Sequence, residues 1–549
     1  MARLAHRRRR SPKGVKPAEP VAGGHGEPRM SRIEVACWAV LFAAAVGALV
    51  WNHCATFFLS WTDEQVHFYV AHRMAEGAVL YRDIESARPP LVLFPLASLI
   101  KAGCPPLLAG RALVLASQLA TAGLLLWGGW RLSSRRAGGM AALLFLTSPE
   151  AFSRIHYTGI QLVALTASAC VLFSLRSQPL RAGLFFGLSL ATDQHGLVVC
   201  SVVALLTIAR RPRDALSFAI GALIISAIVF GGMRAMGGRH LWQSLVELHF
   251  FHLRVGQGGS SHFWELFTPW LYEHGYLFVG AGVAIVLLGV RRTEVRIGDD
   301  ARPPSSRSVP ALLFVVIAHI AVVLAMTEAS FLYIVVIAPL LTLLAGIGFD
   351  VTVTWWRQCS QLSQVRARRA SRLMLAGAIA VLALTAGGWA AACAHRERLD
   401  ERHYSFWPHL RHGQLARSQQ LDVARRVATD SILPKEGTIF GDPTIVSAVA
   451  LQSGLRVSGE LADLNPSWIQ TGAIGREQVV SRIERDHVAV VITPPWFLVQ
   501  DPYFRSYLAA CYQQPKVFSP PQSGPGEGLP DIVVFPHIHS TYPCQVPPL

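Results

Sequence analysis

Long apolar stretches dominate this sequence and limit what it can fold into. A helix needs roughly 20 apolar residues to cross the hydrocarbon core of a membrane, and five stretches reach that length: 33–51, 107–130, 215–233, 331–349 and 373–394. Six more are shorter or interrupted: 137–149, 158–175, 181–194, 196–209, 276–290 and 309–327. Only 15% of the 549 residues are charged, against about a quarter in soluble proteins. We predict a mainly α polytopic membrane protein with about eleven transmembrane helices.

Basic residues are distributed unevenly between the loops. If the amino terminus lies inside, the inside segments hold 27 Lys or Arg and the outside loops between crossings hold 8. Cytoplasmic loops carry such an excess, so we predict that residues 1–32 form a cytoplasmic tail and that the carboxyl-terminal part lies outside. The net charge of +16 then needs no nucleic-acid partner, because the basic tail serves as an orientation signal and a contact for anionic lipids.

The part after the last crossing has a different pattern. Within 395–549, the β-rich runs "GTIFGD", "LRVSG", "HVAVVIT" and "DIVVF" alternate with helical patterns, which predicts an extracytoplasmic α/β domain with a mostly parallel sheet. No G-x-G-x-x-G follows its first strand, so a dinucleotide role is unsupported. Cys511 and Cys544 could pair there or stay free, and their spacing does not decide between the two.

The first external loop, 55–106, begins with two adjacent acids. Thr62 and Gln65 flank Asp63 and Glu64 as a capping box would, so helix capping alone could explain the acids. The loop continues with a cluster of charged residues immediately before Pro89-Pro90, followed by a short apolar run that favours a helix lying along the membrane surface. One interfacial helix begins at the two acids and the other follows Pro89-Pro90. Because these two helices bracket the clustered charges, we interpret the loop as a functional site. The cluster consists of Asp83, Glu85 and Arg88.

The order of these features resembles a known family. A crossing, Asp-Glu in the first external loop, "LYRD", a basic residue before "PPL", "GRALVLASQL" and "LTSP" resemble the GT-C glycosyltransferases, close to bacterial relatives of protein O-mannosyltransferases and of the lipid A aminoarabinose transferase. The resemblance covers roughly residues 33–350 and makes 33–394 a transmembrane glycosyltransferase domain. It implies a multi-pass protein of the bacterial inner membrane that transfers a sugar from a polyprenyl-phosphate carrier to a glycan, lipid or protein acceptor outside, with no cofactor.

The resemblance also implies roles for residues of the first loop. Asp63 matches the acid that takes the acceptor's proton, and Glu64 matches the neighbour that positions the acceptor or the base. Arg88 stands where relatives carry a cation for the departing phosphate, although an interfacial arginine could occupy that place without function. Further substrate-binding candidates are polar neighbours of these residues or resemble the family by position: Asp83, Glu85, His67, His156, Tyr157, Arg254 and Tyr333.

Two positions depart from the family pattern. Gln161 lies near the place where relatives often carry a second acid, and Asp193 stands where they frequently carry a Lys. Asp193 and His195 could face the site, since ionisable groups at membrane depth are often functional, but we favour a wet turn between two helices. These departures keep open a relative that binds a lipid-linked sugar without turnover. A transporter is the other alternative, but the paired broken helices expected of one are missing from the pattern.

A loop rich in histidine and aromatic residues spans 234–275. His249 and His252 are one helical turn apart and could begin a zinc site, but no acid or Cys completes a ligand set. We therefore predict no metal and favour a lid that faces lipid or donor.

Overall fold

The computed structural model describes residues 32–55, 63–148, 151, 156–238, 240–247, 275, 277–282, 305–325, 335–361, 423–458, 463–464, 469, 474–495, 497–519 and 531–538. The described residues before 423 are mainly helical. Their main helices are α1 (Arg32–Ala55), α2 (Asp63–Ala75), α3 (Pro90–Lys101), α4 (Pro106–Leu132), α5 (Arg135–Leu146), α6 (Ile160–Leu175), α7 (Pro179–Thr192), α8 (Leu197–Arg210), α9 (Pro212–Ser226), α10 (Ser305–Ala325) and α11 (Ala338–Gln361). Helix α9 continues through a π-helical turn, Ala227–Gly231, into Gly232–Ala235.

Three of the described helical segments are long and apolar enough to cross a membrane: Arg32–Cys54, Pro106–Leu132 and Pro212–Ala235. Most other predicted crossings coincide with shorter helices. Helix α11 runs past the predicted end at 349 to Gln361, because the apolar pattern marks where a helix leaves the membrane and not where it ends. The count of eleven stays a prediction, since residues 373–394 and most of 276–290 lie outside the described residues.

Close backbone contacts pack the bundle. A Cβ on Gly129 of α4 would lie 2.5 Å from the Cα of Gly138 in α5, and a Cβ on Gly183 of α7 would lie 1.9 Å from the carbonyl oxygen of Phe218 in α9. Small residues let membrane helices approach this closely. Van der Waals packing then holds the helices together, because lipid tails are as apolar as the helix surfaces and the hydrophobic effect does not drive helix association there.

Basic side chains gather at one end of this bundle. Arg136 Nη2 at the start of α5 donates to Glu34 Oε2 at the start of α1 over 3.0 Å. The guanidinium of Arg176 lies 4.8 Å from the ring centre of Trp127 near the end of α4. The loops 131–136 and 176–181, both rich in arginine, therefore share an end of the bundle, opposite the end from which α2 and α3 extend.

The carboxyl-terminal part forms a five-stranded sheet in the order β2-β1-β3-β5-β4. Its strands are β1 (Thr438–Gly441), β2 (Arg456–Val457), β3 (Val488–Thr493), β4 (Lys516–Phe518) and β5 (Ile532–Pro536), with helices α12 (Pro443–Ser453), α13 (Arg476–Arg485) and α14 (Pro502–Cys511) between them. Gly441 ends β1 at φ +147°, where a Cβ would lie 1.7 Å from the carbonyl oxygen of Ile492, so only glycine fits this approach to β3.

The sheet is mixed, which corrects the prediction of a mostly parallel one. Strand β1 pairs parallel with β2 and β3, whereas β5 pairs antiparallel with β3 and with β4. Parallel neighbours need a crossover, usually a helix. Strands β4 and β5 are consecutive along the chain, and the "SPPQSGPGEGLP" stretch between them has the composition of a loop, so an antiparallel pair is the ordinary result.

Helix α2 is buried on every side over residues 64–71. It packs against α3 and α4 on the membrane side and against α12 of the carboxyl-terminal unit on the other. The backbone N–H of Val457 donates to Tyr69 Oη over 2.7 Å, joining the two parts. The carboxyl-terminal unit therefore covers the side of α2 that α3 and α4 leave open.

Candidate active site

Glu64 lies at the centre of a buried polar cluster where α2 meets the start of α4. Its side chain has 0% exposure. Arg111 of α4 donates to both carboxylate oxygens, with Nη2 3.1 Å from Oε2. The backbone N–H of Tyr157 donates to Oε1 over 2.7 Å, and His156 Nδ1 lies 3.2 Å from Oε2. The cluster therefore ties together α2, α4 and the segment before α6.

This environment keeps Glu64 ionised. Burial alone would raise the pKa of the carboxyl, but the positive charge of Arg111, followed by the hydrogen bond and charge of His156, outweighs burial and lowers the pKa to about 2. A carboxylate with so low a pKa, enclosed by donors, is a poor proton acceptor at neutral pH.

A second pair of opposite charges lies at the start of α3. Arg88 Nη1 is 4.0 Å from Asp193 Oδ2, and the Arg88 side chain retains 19% exposure while Asp193 retains 2%. Asp193 Oδ1 accepts from the backbone N–H of His195 over 3.1 Å and contacts His195 Nδ1. Asp193 caps the 3₁₀ turn Gln194–Gly196 between α7 and α8. The turn is buried, which contradicts the prediction that it is open to water.

No protein-family model matches the sequence, and no curated protein sequence matches it. Two solved structures of ArnT from Cupriavidus metallidurans are similar to the chain. The ArnT structure bound to undecaprenyl phosphate matches with a TM-score of 0.58 at 15% identity, covering 92% of this chain and 98% of ArnT. The apo ArnT structure matches with a TM-score of 0.54 at 16% identity, covering 91% and 98%. The chain has a GT-C fold. The fold that the family resemblance implies is thereby confirmed.

An archaeal oligosaccharyltransferase, AglB from Archaeoglobus fulgidus in complex with an inhibitory peptide and a dolichol-phosphate, matches with a TM-score of 0.49 at 11% identity, covering 94% of this chain and 76% of AglB.

Within the GT-C fold, Asp63 is the first residue of α2. The structure describes its backbone and not its side chain, so its role as the base stays a prediction. Arg254 and Tyr333 lie outside the described residues, as do His249 and His252.

The side chains of His67 and Tyr157 lie close together and are buried in the protein interior. His67 Nδ1 lies 3.0 Å from the carbonyl oxygen of Tyr157, and the two rings meet edge to face at 6.2 Å. The Tyr157 hydroxyl donates to the carbonyl oxygen of Val92 in α3. Both side chains are 1% exposed. These contacts fix the segment before α6 against α2 and α3, and substrate contact by either residue stays a prediction.

The two acids of the charged cluster before Pro89 have partners of their own. Glu85 Oε2 accepts from Arg482 Nη1 of α13 over 2.8 Å. Asp83 is exposed and accepts from the neighbouring Arg82 side chain and, over 2.8 Å, from the backbone N–H of Val79. Glu85 therefore joins the loop to the carboxyl-terminal unit, and Asp83 closes a local turn. Their predicted substrate contacts stay predictions.

Two residues of the site are not among the predicted site residues. Arg111 lies in "GRALVLASQL", whose apolar pattern predicts an ordinary membrane helix, although an arginine within such an apolar run is itself a signal. Asp193 stands out as a departure from the family pattern, but its link to Arg88 cannot be seen in a single sequence. Among the described residues, no group of three His, Cys, Asp or Glu side chains could hold a metal ion.

Proposed function

We propose that this protein is an integral membrane glycosyltransferase that moves a sugar from a polyprenyl phosphate to an acceptor on the outer side of the membrane. The fold shared with ArnT over nearly the whole chain carries the proposal, and the ArnT structure with undecaprenyl phosphate supports a donor of that class. The Arg88–Asp193 pair supports a charged site on the side of the bundle from which α2 and α3 extend.

In the proposed reaction an acceptor hydroxyl attacks the anomeric carbon of the sugar. Its oxygen forms the new glycosidic bond, while the bond from the anomeric carbon to the phosphate oxygen breaks and its electron pair leaves with the phosphate. Asp63 takes the hydroxyl proton as the bond forms. Arg88 stabilises the charge of the departing polyprenyl phosphate, for which a planar guanidinium is well suited.

Glu64 has a positioning role in this proposal. Its carboxylate is enclosed by Arg111, His156 and the backbone of Tyr157, and its depressed pKa makes it a weak base. By fixing the first turn of α2 to α4 it holds the neighbouring Asp63 in place. Pre-organisation of this kind is what a general base requires, because small displacements reduce proton transfer.

A second candidate is a protein that binds a lipid-linked sugar without transferring it. The observation that favours it is the acid at Asp193, which offsets part of the positive charge that Arg88 would offer a phosphate. Both candidates bind the donor, and only the transferase consumes it.

We infer the orientation in the membrane from charge and cysteine chemistry. The excess of Lys and Arg in alternate loops supports a cytoplasmic amino terminus. Cys511 is disulfide-bonded, and disulfides persist in oxidising compartments, which supports an extracytoplasmic carboxyl-terminal unit. A reporter fused after residue 549 should be active only outside the cytoplasm. Activity of a cytoplasm-specific reporter there would contradict the orientation.

The proposed activity can be tested even though the sugar is unidentified. The protein is purified from overexpressing membranes and its bound lipids are identified by mass spectrometry. A polyprenyl-phosphate sugar that is converted to free polyprenyl phosphate when an envelope extract is added supports the transferase. The same lipid, bound but never consumed, supports the second candidate. Absence of any lipid-linked sugar contradicts both.

A further inference from the structure

The segment Glu85–Arg88 is held from the side of the carboxyl-terminal unit. Arg482 of α13 binds Glu85 at 2.8 Å. Asp463 Oδ2 accepts from the Ser86 hydroxyl over 3.0 Å and from the backbone N–H of Ala87 over 2.9 Å. Two charged side chains from a sequence-distant unit thus fix three consecutive residues that end beside Arg88.

The contacts continue to the backbone of Arg88 itself. Its N–H donates to Ser86 Oγ over 3.2 Å, and its carbonyl oxygen accepts from the Tyr81 hydroxyl over 2.5 Å. Tyr81 is fully buried and has a φ of 62°. A bulky residue in this left-handed region persists only where its surroundings over-determine it. The loop is therefore built to hold the backbone at Arg88 in one place.

We propose that Asp463 and Arg482 are positioning residues that set the placement of Arg88, so that the carboxyl-terminal unit controls how strongly the site binds a lipid phosphate. This inference rests on the proposed function. The backbone of Arg88 is fixed through Ser86 by Asp463, and its side chain meets Asp193 at the end of α7. Losing the Asp463 contacts would remove the constraint that acts through Ser86.

A purely structural interface would behave differently. If Asp463 and Arg482 only dock the carboxyl-terminal unit on the first loop, their loss lowers the unfolding temperature and leaves the affinity of the folded protein for phosphate unchanged. If they position Arg88, affinity falls in protein that is still folded. Phosphate affinity of the folded fraction is therefore the deciding measurement.

The test uses the full-length protein in detergent, titrated with undecaprenyl phosphate, with thermal unfolding recorded in parallel. Asp463→Ala removes the acceptor of two hydrogen bonds, and we expect binding about tenfold weaker. Asp463→Asn keeps an oxygen that accepts from both Ser86 and Ala87 while removing the charge, so it should restore most of the affinity. Equal loss in both variants would show that the charge acts directly and would overturn the positioning role.

The ion pair is tested by a double-mutant cycle. Glu85→Gln and Arg482→Gln should each weaken binding, and the double variant should be little worse than either one, because both break the same contact. Arg476→Gln is the matched control: it lies on the same helix α13 and pairs with Asp501 within the carboxyl-terminal unit, at 2.7 Å. Its binding should equal that of the unaltered protein. Additive losses would overturn the shared pair.

Arg88→Gln separates this inference from the proposed function. If Arg88→Gln loses affinity but Asp463→Ala does not, the positioning role is wrong and the proposed function stands. If Arg88→Gln itself keeps full affinity for undecaprenyl phosphate, the assignment of Arg88 to the phosphate is wrong, and the positioning role fails with it.

Discussion

Two acid–arginine pairs in the described part of the bundle have surroundings that differ. The Arg111–Glu64 pair is closed: the side chains are 3% and 0% exposed, and the carboxylate also accepts from a backbone N–H. The Arg88–Asp193 pair is open: Arg88 Nη1 and Asp193 Oδ2 are 4.0 Å apart, and the arginine side chain is 19% exposed. A guanidinium and a carboxylate therefore form an enclosed ion pair in one place, and in the other an ion pair whose arginine a ligand can reach.

The difference indicates what each pair can do. An enclosed pair with directed hydrogen bonds resists change, because removing one partner leaves a buried charge uncompensated. A partly exposed arginine can give up part of its contact with a nearby acid and bind the phosphate oxygens of a ligand instead. We assign the closed pair to holding α2 and the open pair to binding the donor phosphate.

The largest effect should come from breaking the closed pair. Arg111→Met leaves the fully buried Glu64 without its main counter-charge, and we expect a loss of about 3–5 kcal/mol in stability, seen as a lower unfolding temperature and less folded protein after purification. Arg88→Gln is the matched control and should leave the unfolding temperature nearly unchanged, because Arg88 is partly exposed and Asp193 keeps its contacts with His195. Equal destabilisation by the two variants would remove the distinction between the pairs.

The closed pair should also give the protein an acid-sensitive component of stability. The folded-state pKa of Glu64 is about 2, below its ordinary value of 4.5, so its contribution is complete above about pH 4.5 and is lost as the pH falls from there towards 2. The contribution is about 3 kcal/mol at 1.36 kcal/mol per pKa unit.

Thermal unfolding of Glu64→Gln and of the unaltered protein between pH 7 and pH 3 measures this component. The gap between their unfolding temperatures should shrink as the pH falls. A constant gap would mean that the charge of Glu64 contributes nothing.

Asp63 should affect turnover and not stability. Asp63→Asn removes the proposed proton acceptor while keeping the shape of the side chain, so transfer should fall by about 10² or more with donor binding little changed. Thr62→Ala is the control, since it weakens the helix cap by about 1 kcal/mol and keeps the carboxylate. If Thr62→Ala removes activity and Asp63→Asn does not, the adjacent acids form a cap and the catalytic assignment is wrong.

The smallest effect is expected at Asp83. Its carboxylate is exposed and pairs with the exposed Arg82, and such surface pairs contribute about 0–1 kcal/mol. Asp83→Asn should therefore change neither unfolding temperature nor phosphate binding by a measurable amount. A clear loss of phosphate binding would instead support the predicted substrate contact of Asp83.

How far the sequence could predict the molecule depends on the range of each interaction. Helix α2, the charged loop and four of the five strands were predicted because apolar period, β-rich runs and turn residues are local signals. Strand β4 gives no such signal, because polar and proline residues on both sides of it in "QQPKVFSPPQ" leave no β-rich run. Arg111 lies 47 residues from Glu64, and Arg482 lies 397 from Glu85, so these partners became visible only once the helices and the carboxyl-terminal unit had packed together.

The most direct test of the central claim is the affinity of the full-length protein for undecaprenyl phosphate in Arg88→Gln, with Arg82→Gln as the control at an exposed arginine of the same loop. We predict binding at least about tenfold weaker in Arg88→Gln, equivalent to about 1.4 kcal/mol, with an unchanged unfolding temperature, and unaltered binding in Arg82→Gln. Unchanged affinity in Arg88→Gln would contradict the assignment of the open pair to the donor phosphate.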